Sequence, residues 1–165
     1  MSVRYERPSA RVVVVDEDGC VFLWRIVDPM DDKPPLWITP GGGIERGELP
    51  AVAAARELRE ETGFVVDPAA LGEPVAVCRG EWAFRGIPLY SVDMFFALRV
   101  PRFEPSLDGL ESIERVIHVG WDWWHPDALD KADEAILPSG LADLTRAINL
   151  GQVSPTPTEL PWLSL

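Results

Sequence analysis

Residues 37–64, WITPGGGIERGELPAVAAARELREETGF, hold the feature that most restricts what this chain can become. Three glycines, Gly41, Gly42 and Gly43, lead through a polar connection into an alanine-rich segment with glutamates at 57, 60 and 61. Glycine lets a backbone take positive φ and approach a ligand closely. Pro50 suits the first helical position and Gly63 a left-handed stop, so a helix is predicted between them. Its start is weak, because Leu49 stands where Ser, Thr or Asp would cap, an omission that costs about 1 kcal/mol. At about 100° per residue, Glu57, Glu60 and Glu61 share roughly a quarter turn. Ala51, Val52, Ala55 and Leu58 take the opposite arc and are predicted to face the core, with small Ala53 leaving room beside the acids.

Carboxylates at i,i+3 and i,i+4 repel one another, more so where water is excluded. Arg56 can reach Glu60 but does not balance three acids, and Arg59 lies far round the helix. The face is either an ordinary solvated acidic surface or a site for a hard divalent cation, which oxygen ligands would hold. The formal charge of −12 sharpens the choice. Such a chain has no basic stripe with which to release counterions from a long nucleic acid. A phosphate-bearing ligand would then reach these acids only through a metal ion.

Gly42, Glu48 and the run Arg56-Glu57-Leu58-Arg59-Glu60-Glu61-Thr62-Gly63-Phe64 satisfy every specified position of G-x5-E-x7-R-E-U-x-E-E-x-G-U, U being bulky and apolar. That pattern is the Nudix box, and the chain resembles the Nudix hydrolases. The flanks resemble them too: a strand pair before the loop, the PGGG approach, and an aromatic strand end after the box. The resemblance implies an α/β fold, an α/β/α sandwich with a mixed β-sheet between helices. It also implies hydrolysis of a diphosphate linkage in a nucleoside diphosphate joined to another group, of the nucleotide or nucleotide-sugar type, with Mg²⁺ or Mn²⁺ held by the box. By that resemblance Glu57, Glu61 and the Gly41 carbonyl are the chief metal ligands, and Glu60 is a further ligand or the base. Arg56 orients a box glutamate, Glu48 supports the loop or a second metal, and Gly42 keeps the loop close.

The remainder is read as one domain, residues 1–150, followed by a Pro-rich tail, residues 151–165, that packs through Trp162 or not at all. Residues 10–15 and 20–26 read as strands of a hairpin closed at Asp18-Gly19. The Pro-rich segment 28–35 reads as a loop, and 36–39 as a short strand. Further strands are predicted over 64–66, 74–84, 89–100 and 115–121. The segment GWDWWHPDAL resembles the family's aromatic strand end and short helix, and 140–150 is an amphipathic helix striped by Leu141, Leu144 and Ile148. Cys20 and Cys78 lack metal-type spacing and are expected as free thiols. The longest apolar runs are strand-length, so no span of a bilayer is expected. With no signal-type pattern at the N-terminus, a cytoplasmic location is expected.

Outside the box, Trp82, Phe84 and Arg85 cluster near Tyr90 and are candidates for stacking on a nucleobase, or for plain sheet packing. Glu111 and Glu114 are candidates for the general base. His118 and His125 have no partner pattern and are assigned to packing or exposure. The expected partner is a small nucleoside diphosphate derivative, with no long nucleic acid and no membrane; a homodimer is allowed for. Two alternatives stand beside hydrolysis of a small nucleotide. A catalytically silent nucleotide-sensing module would be expected to lose box carboxylates, and none is lost. An RNA-processing pyrophosphohydrolase would want basic surface.

Overall fold

The structure, a computed structural model, describes residues 5–164. Its organising strand is β1 (Tyr5–Val15). Val12, Val13, Val14 and Val15 are all fully buried, and a strand apolar on both faces must be covered on both. Ala10, Val12 and Val14 pack with Ala53, Ala54 and Leu58 of α1 (Pro50–Thr62). Val13 and Val15 pack with Leu141, Leu144 and Ile148 of α4 (Leu141–Asn149). The result is the expected α/β/α sandwich, with the helical stripe over 140–150 in place.

Along its length β1 runs parallel to β6 (Ile87–Arg99), from Tyr5 opposite Leu89 to Val15 opposite Arg99. β5 (Ala76–Phe84) pairs antiparallel with β6. Their turn is tighter than the four-residue link predicted, because Arg85 and Gly86 both take positive φ, 49° and 82°, as a two-residue hairpin demands. The other expected hairpin opens at once. β2 (Val21–Ile26) meets β1 only at Val15 opposite Val21, and then pairs with β3 (Leu36–Ile38) and β7 (His118–Trp124). That frees β1 to accept β4 (Gly41–Gly43), with Ser9, Ala10 and Arg11 opposite Gly43, Gly42 and Gly41. The glycine loop is thereby fixed to the central strand.

Four readings of the sequence are corrected. Residues 64–66 join no ladder. Residues 115–117, read as the start of a strand over 115–121, belong instead to helix α2 (Ser112–Ile117), where Glu114 reaches back to accept the Glu111 amide at 2.8 Å. The Arg115 guanidinium adds bonds to the carbonyls of Leu110 and Asp108, both at 3.0 Å. These local bonds outweigh the β-branched composition of the run. Val52 is 40% exposed rather than core-facing. Finally, Glu57 and Glu61 are not on a face turned away from the core: they are 9% and 4% exposed, and the buried arc of α1 runs through them to Leu58 and Thr62.

The short helix after the aromatic strand is present as α3 (Pro126–Leu129), where the His125 ring nitrogen accepts the Asp127 amide at 3.2 Å. β8 (Ala135–Leu137) lies parallel to β3. The tail is a structural piece of the sheet. β9 (Thr158–Leu160) extends it beside β5, and the Trp162 ring lies so close over Gly80 that a Cβ there would be 2.0 Å from it. The Trp162 indole N–H donates to the Glu81 carbonyl at 3.1 Å. Cys20 and Cys78 are free. No described helix is long and apolar enough to cross a membrane.

Candidate active site

The glycine loop lies directly on the acidic side of α1. The Gly41 amide donates to a Glu61 carboxylate oxygen at 3.0 Å. A Cβ on Gly42 would stand 2.6 Å from the Glu57 carboxyl carbon, and one on Gly41 2.5 Å from the Ala10 carbonyl oxygen. A side chain at Gly41 would drive the loop off β1, and one at Gly42 would displace the Glu57 carboxylate. Their absence lets two buried carboxylates sit beneath backbone.

Arg56 clasps the arrangement from its rim. Its Nε and Nη2 donate to the two oxygens of Glu48 at 2.8 and 3.0 Å, the forked pairing that suits a guanidinium. Nη2 also reaches the Gly43 carbonyl at 3.0 Å, and Nη1 reaches Glu57 at 2.8 Å and Glu60 at 3.3 Å. Glu48 in turn accepts the Glu45 amide at 2.9 Å. One arginine thus holds loop, Glu48 and Glu57 together. It does not neutralise them: burial pushes the Glu57 carboxyl up to about 7, with Arg56 opposing and the charge of Glu61 adding to the rise.

Glu114, brought in by α2, completes the group. One carboxylate oxygen from each of Glu57, Glu61 and Glu114 lies within 4.8 Å of the others. Three converging carboxylates, two of them buried, are an oxygen donor set suited to a hard divalent cation.

Other candidates are placed differently. Glu60 stands outside this triad, its side chain 38% exposed and turned to Arg56. Glu111 is exposed at the start of α2. The contact of Gly41 with the triad is made through its amide rather than its carbonyl. Trp82 donates to the Ser91 hydroxyl at 2.6 Å, with Arg7 and Lys33 at 5.9 and 5.7 Å from its ring. Phe84 meets Trp82 edge-on at 6.1 Å and carries Arg85 over its ring at 5.2 Å. Arg85 pairs with Asp28 at 3.4 Å, and Lys33 donates to the Ala83 carbonyl at 2.6 Å. The loop over 28–35 therefore borders this aromatic hairpin. Arg7 also lies 3.7 Å from where a Gly43 Cβ would be, so the hairpin and the glycine loop are neighbours.

His118, assigned from the sequence to packing or exposure, packs against Trp24, its side chain 7% exposed and its Nε2 3.7 Å from Glu61. Only the topology brings it there; a lone histidine in an aromatic-rich segment carries no signal of its own.

Comparison with known proteins agrees with this geometry. The NUDIX domain profile matches residues 5–144. An RNA pyrophosphohydrolase from Azorhizobium caulinodans is 33% identical over 147 residues, which cover 80% of this chain and 83% of that protein. The chain also resembles in structure a MutT protein from Methanosarcina mazei Go1, with TM-score 0.65 and 16% identity over 92% of this chain and 98% of that one. A dihydroneopterin triphosphate pyrophosphohydrolase from E. coli gives TM-score 0.57 at 22% identity, covering 76% and 85% of the two chains. With the complete box folded against its glycine loop and the profile matched across most of its length, the chain belongs to the Nudix family of hydrolases, enzymes that act on diphosphate linkages and generally use divalent metal ions.

Proposed function

We propose that this chain hydrolyses the diphosphate linkage of a small nucleoside diphosphate derivative, with Mg²⁺ or Mn²⁺ held by Glu57, Glu61 and Glu114. The convergence of those three carboxylates within 4.8 Å beside the glycine loop carries the reading. When bound, such a cation neutralises charge on the phosphate oxygens and acidifies water. The chain's own residues do the rest. Arg56, locked by Glu48, holds Glu57 in place, and the Gly41 amide fixes one oxygen of Glu61. The Gly41 carbonyl and Glu60 are further donors in this scheme. A proton-accepting role goes first to Glu114, the member of the triad supplied from outside the box, then to Glu60, and last to Glu111.

Trp82 and Phe84 are suited to receive the base, and Arg7, Lys33 and Arg85 supply local positive charge in a chain of net charge −12. The same cluster supports a second reading, in which the diphosphate belongs to the 5′ end of an RNA. The resemblance to an RNA pyrophosphohydrolase favours it as well. A panel of nucleoside diphosphate derivatives, set beside a 5′-triphosphorylated RNA with Mg²⁺ or Mn²⁺, decides between them. Phosphate products released from the small derivatives and not from RNA are expected. Release from RNA alone would replace the first reading by the second, and release from neither would remove both.

A further inference from the structure

The face of β1 that α4 covers with Val13 and Val15 continues toward the N-terminus as Arg11 and Ser9, by the alternation of a strand. Phe95 and Asp93 of β6 stand opposite these two. Arg11 and Asp93, with Ile38, Pro138, Ser139 and the tail residue Trp162, line a cavity of about 40 Å³. Asp93 accepts the Ser9 hydroxyl. Arg11 donates from Nη1 to the Thr39 carbonyl at 2.9 Å, and its Nε is buried with no acceptor. Among the described residues no ion pair joins Arg11 to Asp93 or to another carboxylate. A guanidinium and a carboxylate withdrawn from water ordinarily meet, because each is costly alone. Here they face one gap, the first offering donors and the second acceptors. Volume decides what the gap takes: about 30 Å³ is one water's share of the liquid, and whole small-molecule sites begin at about 300 Å³. It admits the polar edge of a group and not a ring.

We propose that this cavity binds a vicinal diol of the substrate, the hydroxyl edge of a sugar, with Arg11 donating to one oxygen, Asp93 accepting from a hydroxyl, and Trp162 forming a wall. The inference rests on the hydrolytic reading above. A hydroxyl both donates and accepts, a carboxylate is a known partner of ribose hydroxyls, and an aromatic face suits the apolar side of a sugar. The cavity adjoins both parts of the site. Arg11 lies opposite Gly41, whose amide bonds Glu61, and the Trp162 ring lies over Gly80, two residues before Trp82 on the same face of β5. The C-terminal tail thereby becomes part of substrate selection. The 5′ end of an RNA offers no such diol, because its first 3′ oxygen is held in the next linkage, so the proposal also sides with a small substrate.

The test uses the full-length chain with Mn²⁺ and three probes: ADP-ribose, 2′-deoxy-ADP-ribose, and the methyl ester of ADP, which has no second sugar. Loss of the diol that occupies the cavity should raise KM at least about tenfold and leave kcat within about threefold. A rise with 2′-deoxy-ADP-ribose assigns the cavity to the nucleoside ribose, and a rise with the methyl ester alone assigns it to the appended sugar. Arg11→Met and Asp93→Asn should raise KM for ADP-ribose to a similar extent. They should add less than about twofold for the probe already lacking that diol, since variant and probe then remove the same interaction. Equal KM for all three probes, or variant and probe effects that multiply, overturns the assignment. A further measurement needs neither turnover nor a variant: in chelator, millimolar ADP-ribose should shift the Trp162 indole N–H resonance of the parent in ¹H–¹⁵N spectra. A resonance that stays in place leaves the cavity to water and overturns the proposal even in an active enzyme. A parent that hydrolyses none of these probes, and none of the wider panel above, overturns instead the hydrolytic reading, and the Trp162 resonance still decides whether the cavity binds the sugar.

Discussion

The Glu61 carboxylate accepts the Gly41 amide at 3.0 Å, so the glycine loop and α1 are joined by a bond that uses backbone on one side and a motif acid on the other. Both glycines pair with β1, but a Cβ on Gly41 would meet β1 backbone, whereas one on Gly42 would meet the end of the Glu57 side chain.

The two glycines should therefore fail differently. Gly41→Ala sets a Cβ against rigid β1 backbone at positive φ, 148°, and should cost at least about 2 kcal/mol of stability, read by denaturant unfolding. Gly42→Ala meets a movable carboxylate. It should leave the melting temperature nearly unchanged and weaken metal binding, read by calorimetric titration.

Within the box, Glu61→Gln keeps size and removes charge. Turnover should fall about 100-fold or more, while Glu45→Gln on the exposed loop should stay within about twofold, a barrier change of only ~0.4 kcal/mol. Equal and mild losses from both would reduce the acidic cluster to ordinary surface.

Glu114→Gln should lower kcat by at least about tenfold, because its carboxylate is one of the three that converge. Glu111→Gln, at the exposed start of α2, should remain near the parent rate. The reverse ranking would move the proton acceptor onto the outer side of α2.

Metal removal and pH should interact. Burial raises the Glu57 carboxyl to about 7 from 4.5, so between those values the folded chain holds a proton that the unfolded chain has released. Its contribution to stability is fully present below the unfolded value and is lost as pH rises through about 7. In chelator, the parent should lose stability from pH 5 to pH 8, by on the order of 3 kcal/mol at most from this group. Glu57→Gln should flatten that slope. Added Mn²⁺ should restore stability at the alkaline end, as a ligand of the folded state does. Thermal melts of both proteins at the two pH values, with chelator and with Mn²⁺, provide the check.

The parts of the site carried by local pattern were legible in the sequence. Box spacing, Pro50 and Gly63 define α1, and Leu141, Leu144 and Ile148 define α4. What was missed depends on tertiary contact. The splaying of β2 from β1 is decided by β4 and β7, which compete for their edges. Helix α2 was hidden by Val116 and Ile117, although Glu114 three residues after Glu111 was a usable capping signal. The burial of Glu57 and Glu61 depends on glycines that let β4 descend onto the helix, which a helical wheel cannot represent. The approach of His118 to Glu61 follows the bulge at Val119.

Central placement of β1 also sets a schedule for synthesis. Its ladder with β6 ends with Val15 opposite Arg99, so in a chain emerging N-terminus first one edge of the Val12–Val15 run waits for residues made much later. Pairing between such distant segments is slow and leaves apolar strand exposed meanwhile. The crowded acids of residues 16–18, together with the prolines of 28–35, stand beside that run during the wait, as charge and proline do where strand edges must be kept from one another. Replacing Glu17 and Asp18, the two exposed acids of this turn, by neutral residues should thus lower the soluble yield on rapid expression by more than it lowers the rate per folded molecule.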